Sequence, residues 1–190
     1  MHRDSTSVCR STLKRPEGGD PSRLSNSGVD QLCPTCGLCC DSTLFADVEL
    51  RKGDDPERLV KLGLDIVEKA KTRLAFSQPC ACFDGKFCKI YAERPQRCRR
   101  FECGLLKRVQ TGQMTTDTAL KKIVAAKAQA EKVRGWLRQS GQREERMAMT
   151  HRYAQAMSAP ADLSKADDQR GELLLAVNEL MQMLERDFLR

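Results

Sequence analysis

The sequence predicts a mainly α-helical protein, with a small irregular cysteine-stapled domain followed by an α-helical C-terminal extension. Three observations carry that expectation. All of the ten cysteines except Cys9 fall between Cys33 and Cys103, in two blocks. After Gly112 cysteine is absent and helix formers dominate. Apolar residues there recur at helical spacing, ending with Leu173, Leu174, Val177, Leu180, Met181, Leu184 and Phe188.

The 190 residues suffice for one ordinary domain, or for a small metal-stapled unit with a helical extension. The composition divides the chain into a tail over 1–30, a cysteine-cluster domain over 31–111 and a helical extension over 112–190. The tail mixes Ser, Gly, Pro, Arg and Asp without hydrophobic period and reads as disordered, with Cys9 a free thiol. From Gln31 to Asp41 the density of cysteines leaves no room for regular structure. Residues 43–50 alternate weakly and suggest a short strand. Lys52 to Pro56 is a turn, with Asp55 as cap and Pro56 at the first position of a helix. That helix is expected to run to about Phe76 and bury Leu59, Leu62 or Gly63, Ile66, Val67, Ala70 and Leu74.

In the second block Asp84-Gly85 predicts a turn that folds Cys88 back toward Cys80. Any helix beyond it starts at or after Pro95. Thr116 or Asp117 caps a long helix to about Ser140, with Leu120, Ile123 or Val124, Ala130, Val133 and Leu137 along one side and Gly141 as its stop. A further helix covers Glu144 to Ser158 and breaks at Pro160. Ser164 with Asp167 resembles a capping box for the last helix. The apolar stripe of that last helix suits an internal core first, and a docking or self-association surface second.

The formal charge is +7. Eight thiolates around two dications would lower it to about +3, so part of the basicity is internal compensation. The stretch Lys86 to Arg108 concentrates it, and cations beside thiolates favour their charged form. Nucleic acid is a disfavoured partner: only Phe87, Tyr91 and Phe101 interleave as stacking platforms. No run of about 18 apolar residues exists for a membrane span, and the N-terminus lacks the apolar stretch of a secretory signal. A reducing cytoplasm is the expected setting, and there clustered cysteines read as metal ligands rather than disulfides.

The first block reads Cys33-Pro-Thr-Cys36-Gly-Leu-Cys39-Cys40. Two thiols separated by two residues can face one ion from a tight turn, and here two such spacings overlap. Zinc and iron–sulfur clusters both accept four thiolates. Neither histidine joins them, since His2 lies in the tail and His151 reads as a surface helix residue.

The second block continues Cys80, Cys88-Lys89-Ile90-Tyr91, Arg94-Pro95, Cys98-Arg99-Arg100-Phe101 and Cys103. With the first block it resembles the CxxCxxCC cysteine-cluster proteins of the YkgJ type, described as a zinc- or iron-chelating domain. The resemblance covers about residues 31–108. It implies metal ligation by Cys33, Cys36, Cys39, Cys40, Cys80, Cys88, Cys98 and Cys103, in two four-thiolate sites or in one with spare cysteines. Cys82 falls where the family more often has an apolar residue, and reads as a small buried hydrophobe. Related domains occur in flagellin lysine methylases, where an iron–sulfur cluster is implicated. That tips the expected cofactor slightly toward an iron–sulfur cluster, such as [4Fe–4S], over zinc.

The leading expectation is therefore a metal-binding module without catalysis of its own, acting through a protein partner or by self-association of its C-terminal helices. No phosphate loop, dinucleotide fingerprint or paired nucleophile and base is legible, which places an iron–sulfur redox or protein-methylation enzyme second. A basic zinc module for nucleic acid stands third.

Overall fold

The structure is a computed structural model that describes residues 29–69, 73–158 and 169–190. The expectations for the tail, Cys9, His2, Ala70, Pro160 and the Ser164–Asp167 box fall outside those residues. The protein is mainly α-helical, as the sequence predicts.

The chain enters on α1, Val29–Cys36. Regular structure was not expected here. The helix persists through Pro34 because Leu32 within it and Leu38 just beyond are both buried, which anchors a turn that propensity alone would not hold. Gly37, at a φ of 74°, ends it in the left-handed conformation that glycine adopts without penalty.

The predicted strand shortens to β1, Asp47–Glu49. Asp55 caps α2, Pro56–Lys61, accepting from the Arg58 N–H at 3.0 Å with Pro56 in the first turn. The expected extension of that helix to Phe76 is overturned. Gly63 turns the chain at a φ of 99°, and the β-branched Ile66 and Val67 then enter β2, Ile66–Lys69. Strand β3, Arg73–Ser77, pairs antiparallel with β2 on one side and β1 on the other, with Phe76 opposite both Val48 and Ile66. Leu59 is buried as expected, whereas Val67 faces solvent.

A 3-10 turn at Tyr91–Glu93 precedes Pro95, and α3 follows as Gln96–Arg100. Next come α4, Gly104–Gln110, and α5, Thr116–Gln139. The cap of α5 is Thr115, one residue before the expected Thr116, and its hydroxyl accepts from Thr118 N–H at 3.2 Å. The helix buries Ala119, Ile123, Ala126, Ala130, Val133 and Leu137, while Leu120 and Val124 turn outward. Residues 144–147 form a turn, so α6 is Met149–Ser158 rather than starting at Glu144. Helix α7, Gln169–Leu184, continues into a π-helical turn at Glu185–Leu189. Its inward face is Leu173, Ala176, Leu180 and Leu184; Leu174 and Met181 of the expected stripe are exposed.

Two apolar cores result. The larger joins α1, α4, α5, α6 and α7 through residues such as Leu32, Leu105, Val133, Leu137, Leu173 and Phe188. The smaller gathers Val48, Leu59, Leu64, Phe76, Cys82 and Ile90 around the sheet. The larger core draws on both the cysteine segment and the C-terminal helices. Arg108 of α4 reinforces this joint, donating to the Asp187 carbonyl at 2.7 Å, while the buried Asp187 carboxylate accepts from Lys122 Nζ at 2.8 Å and from Arg186 Nη2 at 2.9 Å. Among the described residues no helix is long and apolar enough to cross a membrane. Of the described cysteines, Cys33, Cys36 and Cys103 pack against the larger core, and Cys40, Cys80, Cys82, Cys88 and Cys98 belong to the smaller one.

Candidate metal centre

Helix α1 sets the first two thiols, because Cys33 and Cys36 are three residues apart and so share one helix face. The Gly37 carbonyl then accepts from the N–H groups of Cys40 at 2.8 Å and Asp41 at 3.0 Å, folding the Cys39-Cys40 pair into a tight turn. Arg134, reaching across from α5, holds that turn. It donates to the Asp41 carbonyl at 3.0 Å and to Thr43 Oγ1 at 3.1 Å, and its guanidinium pairs with the Asp41 carboxylate at 3.0 Å.

The second block docks directly on the first through a 2.8 Å bond from the Cys80 N–H to the Cys40 carbonyl. The Asp84-Gly85 turn forms as its sequence predicts. Asp84 Oδ1 accepts from the N–H groups of Lys86 at 2.9 Å and Phe87 at 2.7 Å, and Phe83 pairs with Cys88 across it. Cys98 rides on α3. Cys103 caps α4, its Sγ accepting from Leu106 N–H at 3.4 Å.

These elements surround one cavity of about 260 Å³, and its wall includes all eight cysteines of the family pattern: Cys33, Cys36, Cys39, Cys40, Cys80, Cys88, Cys98 and Cys103. Cys82 is not on that wall. It is fully buried, and its thiol donates to the Leu62 carbonyl at 3.3 Å. His151 is exposed on α6. Among the described residues no disulfide joins any of the nine cysteines.

Burial dominates the chemistry of these sulfurs. It pushes Cys36 up to about 12, aided by Cys103 and Cys33 and opposed by a backbone N–H at Leu38. It likewise pushes Cys98 up to about 12, with Cys80 and Cys88 adding to the shift and Arg94 opposing it. Cys33, Cys39 and Cys40 are raised by the same desolvation. Cys80 moves the other way, because hydrogen bonding from Cys82 outweighs its burial. Without a cation most of these thiols therefore stay protonated at neutral pH. A metal would supply the positive charge that lets them ionise.

The donor set suits a thiophilic metal. Gln78, on the cavity wall, is buried and its Oε1 has no partner among the described residues. The sulfurs line the wall without converging. Among the described residues no three His, Cys, Asp or Glu side chains are grouped closely enough to hold an ion as they stand. Arg94 lines the same cavity. Its guanidinium stacks 3.5 Å from the Tyr91 ring centroid, its Nε donates to the Tyr91 carbonyl at 2.9 Å, and its charge acts on both Cys33 and Cys98. The sequence marks Arg94 as one of the basic residues and as part of the Arg94-Pro95 pair of the family pattern, and gives no sign of Gln78 or Arg134, whose roles depend on tertiary placement.

Comparison with protein families identifies the class. The CxxCxxCC family, described as a "putative zinc- or iron-chelating domain", matches residues 32–132, and the chain belongs to it. The match extends beyond the motif residues into α5. This accords with the packing, since Ile123, Ala126 and Ala130 of α5 share a core with Leu32 and Leu38. The family description supports metal binding, with zinc or iron as the metal. No curated protein and no solved structure matches the chain.

Proposed function

We propose that the protein is a metal-binding module whose eight cavity cysteines hold their metal in all-thiolate coordination, without catalysis of its own. The observation that carries this reading is the single cavity walled by all eight family cysteines. Zinc–sulfur bonds of about 2.3 Å bring tetrahedral sulfurs to within roughly 4 Å of each other. Eight sulfurs around about 260 Å³ leave room for polyatomic iron–sulfur clusters as well as for zinc ions, and the iron–sulfur form is the one we favour. Such a cluster, when bound, supplies one-electron chemistry tuned by burial and hydrogen bonding. The chain's own residues bury it, offer Arg94 against its charge and exclude water with Leu105, Phe76 and Phe188. The exposed Leu174, Leu175 and Met181 on α7 suit contact with a partner protein or a second copy.

The test is anaerobic purification of the untagged protein, followed by visible absorption and metal analysis on one sample. Broad absorption bleached by dithionite, with iron and acid-labile sulfide, supports the cluster. A colourless protein with zinc supports closed structural sites instead, and a metal-free protein contradicts the reading.

A further inference from the structure

We infer that the eight thiols form two separate four-sulfur sites, Cys33/Cys36/Cys39/Cys103 and Cys40/Cys80/Cys88/Cys98, joined back to back through the Cys39–Cys40 peptide. The inference rests on the metal-binding reading and adds the division of ligands, which neither the motif nor the family description assigns. Chain spacing alone suggests a different grouping, with the first four cysteines at one site and the last four at another.

Packing separates the two sets. Cys33, Cys36 and Cys103 pack against the larger helical core, whereas Cys40, Cys80, Cys88 and Cys98 pack against the smaller sheet core. The backbone agrees with the packing. Cys33 and Cys36 share a face of α1, and α1 packs on α4, whose cap is Cys103. The Cys80 N–H binds the Cys40 carbonyl, which brings the second block to Cys40 and not to Cys39. Phe83 pairs with Cys88 beneath it.

Electrostatic proximity gives the same division. The charges that act on Cys39 are those of Cys36, of its chain neighbour Cys40, and of Cys103 and Cys33. Cys40 stands within range of Cys80, Cys88 and Cys98, and Cys98 of Cys80 and Cys88. Cys39 and Cys40, adjacent in the chain, act on each other across the division. Four thiolates around a dication, or around a dicationic cluster, carry a net charge of −2, so two such sites side by side repel. Arg94 acts on one thiol of each set, Cys33 and Cys98, and offsets that repulsion from the seam.

The experiment uses the full chain, purified anaerobically, with metal and sulfide per chain measured for wild type and for Ser variants. Cys33→Ser and Cys103→Ser should each lose half of the wild-type content, and the pair together no more than half. Cys88→Ser and Cys98→Ser should behave the same way, while Cys33→Ser with Cys98→Ser should lose all of it. Far-ultraviolet circular dichroism verifies that each variant keeps its helices. Stepwise chelation of the wild type, followed by native mass spectrometry, reads the same division without any variant, as release in two discrete halves. A single release step, or complete loss of metal in a folded single variant, overturns the two-site division while leaving metal binding intact. A wild type without metal removes both.

Discussion

Arg134→Ala removes the brace between α5 and the Cys39-Cys40 turn, and its cost can be estimated from the contacts it deletes. The side chain is largely buried, as is its partner Asp41, each at 18% exposure. It gives up an ion pair at 3.0 Å and hydrogen bonds to the Asp41 carbonyl and Thr43 Oγ1. Hydrogen bonds involving a charged group contribute roughly 1.5–3 kcal/mol when one partner is deleted, and the three acceptors here share one donor group. A loss of roughly 2–3 kcal/mol follows. For a chain of this size that lowers Tm by about 4–12 °C. The same turn carries one thiol toward each half of the cavity, so metal should also leave faster to a chelator. Arg138→Ala, one turn further along α5, is the control. Its partners Glu131 and Glu145 are exposed at 58%, and such pairs are worth about 0.5 kcal/mol. Thermal melting and chelator-release rates on both variants test the reasoning. Equal, small effects would refute it.

Gly37→Ala should weaken metal binding and stability together. Its φ is 74°, and an added Cβ would sit 2.6 Å from Phe83 Cζ, so strain of about 1 kcal/mol adds to a ring clash. Phe83→Leu should restore part of the loss in melting and metal content; no restoration would point to backbone strain alone. Asp187→Asn tests the C-terminal joint through pH. Burial pushes the Asp187 carboxyl up, but the Arg186 and Lys122 hydrogen bonds outweigh it and hold the group below its ordinary 3.8. Its contribution is therefore present above that value and is lost as pH falls through the lower folded value. Urea titrations should show the variant roughly 2 kcal/mol less stable at neutral pH, with the gap shrinking below about pH 4. A gap independent of pH would refute the ion-pair account. Cys82→Ser should leave metal content unchanged and alter stability by no more than about 1 kcal/mol, since a hydroxyl can still donate to the Leu62 carbonyl. Metal loss in that variant would make Cys82 a ligand.

Legibility in the sequence followed the range of the interactions. Local signals were read well: the Asp55-Pro56 start of α2, the Asp84-Gly85 turn, and a helix no earlier than Pro95. The expected helix over 56–76 failed because Leu59, Leu62 and Ile66 fit a helical period equally well. What decides against it is the pairing of β2 and β3 with β1, a contact remote in sequence. On α5 the expected face holds at Ala130, Val133 and Leu137 but is misplaced in part, since Ala119 and Ala126 also pack inward while the larger Leu120 and Val124 remain outside. The eight cavity cysteines were legible because ligand spacing is local within each block. Their neighbours across the cavity were not, because Cys103 reaches Cys33 only through the packing of α1 on α4.

The central claim is that this cavity holds metal through its cysteines. The most direct test compares the mass of the anaerobically purified protein under native and denaturing conditions. The account predicts a native mass that exceeds the bare chain by a discrete metal or cluster increment, lost on denaturation and lost when the cavity cysteines are replaced. Identical native and denatured masses would contradict it.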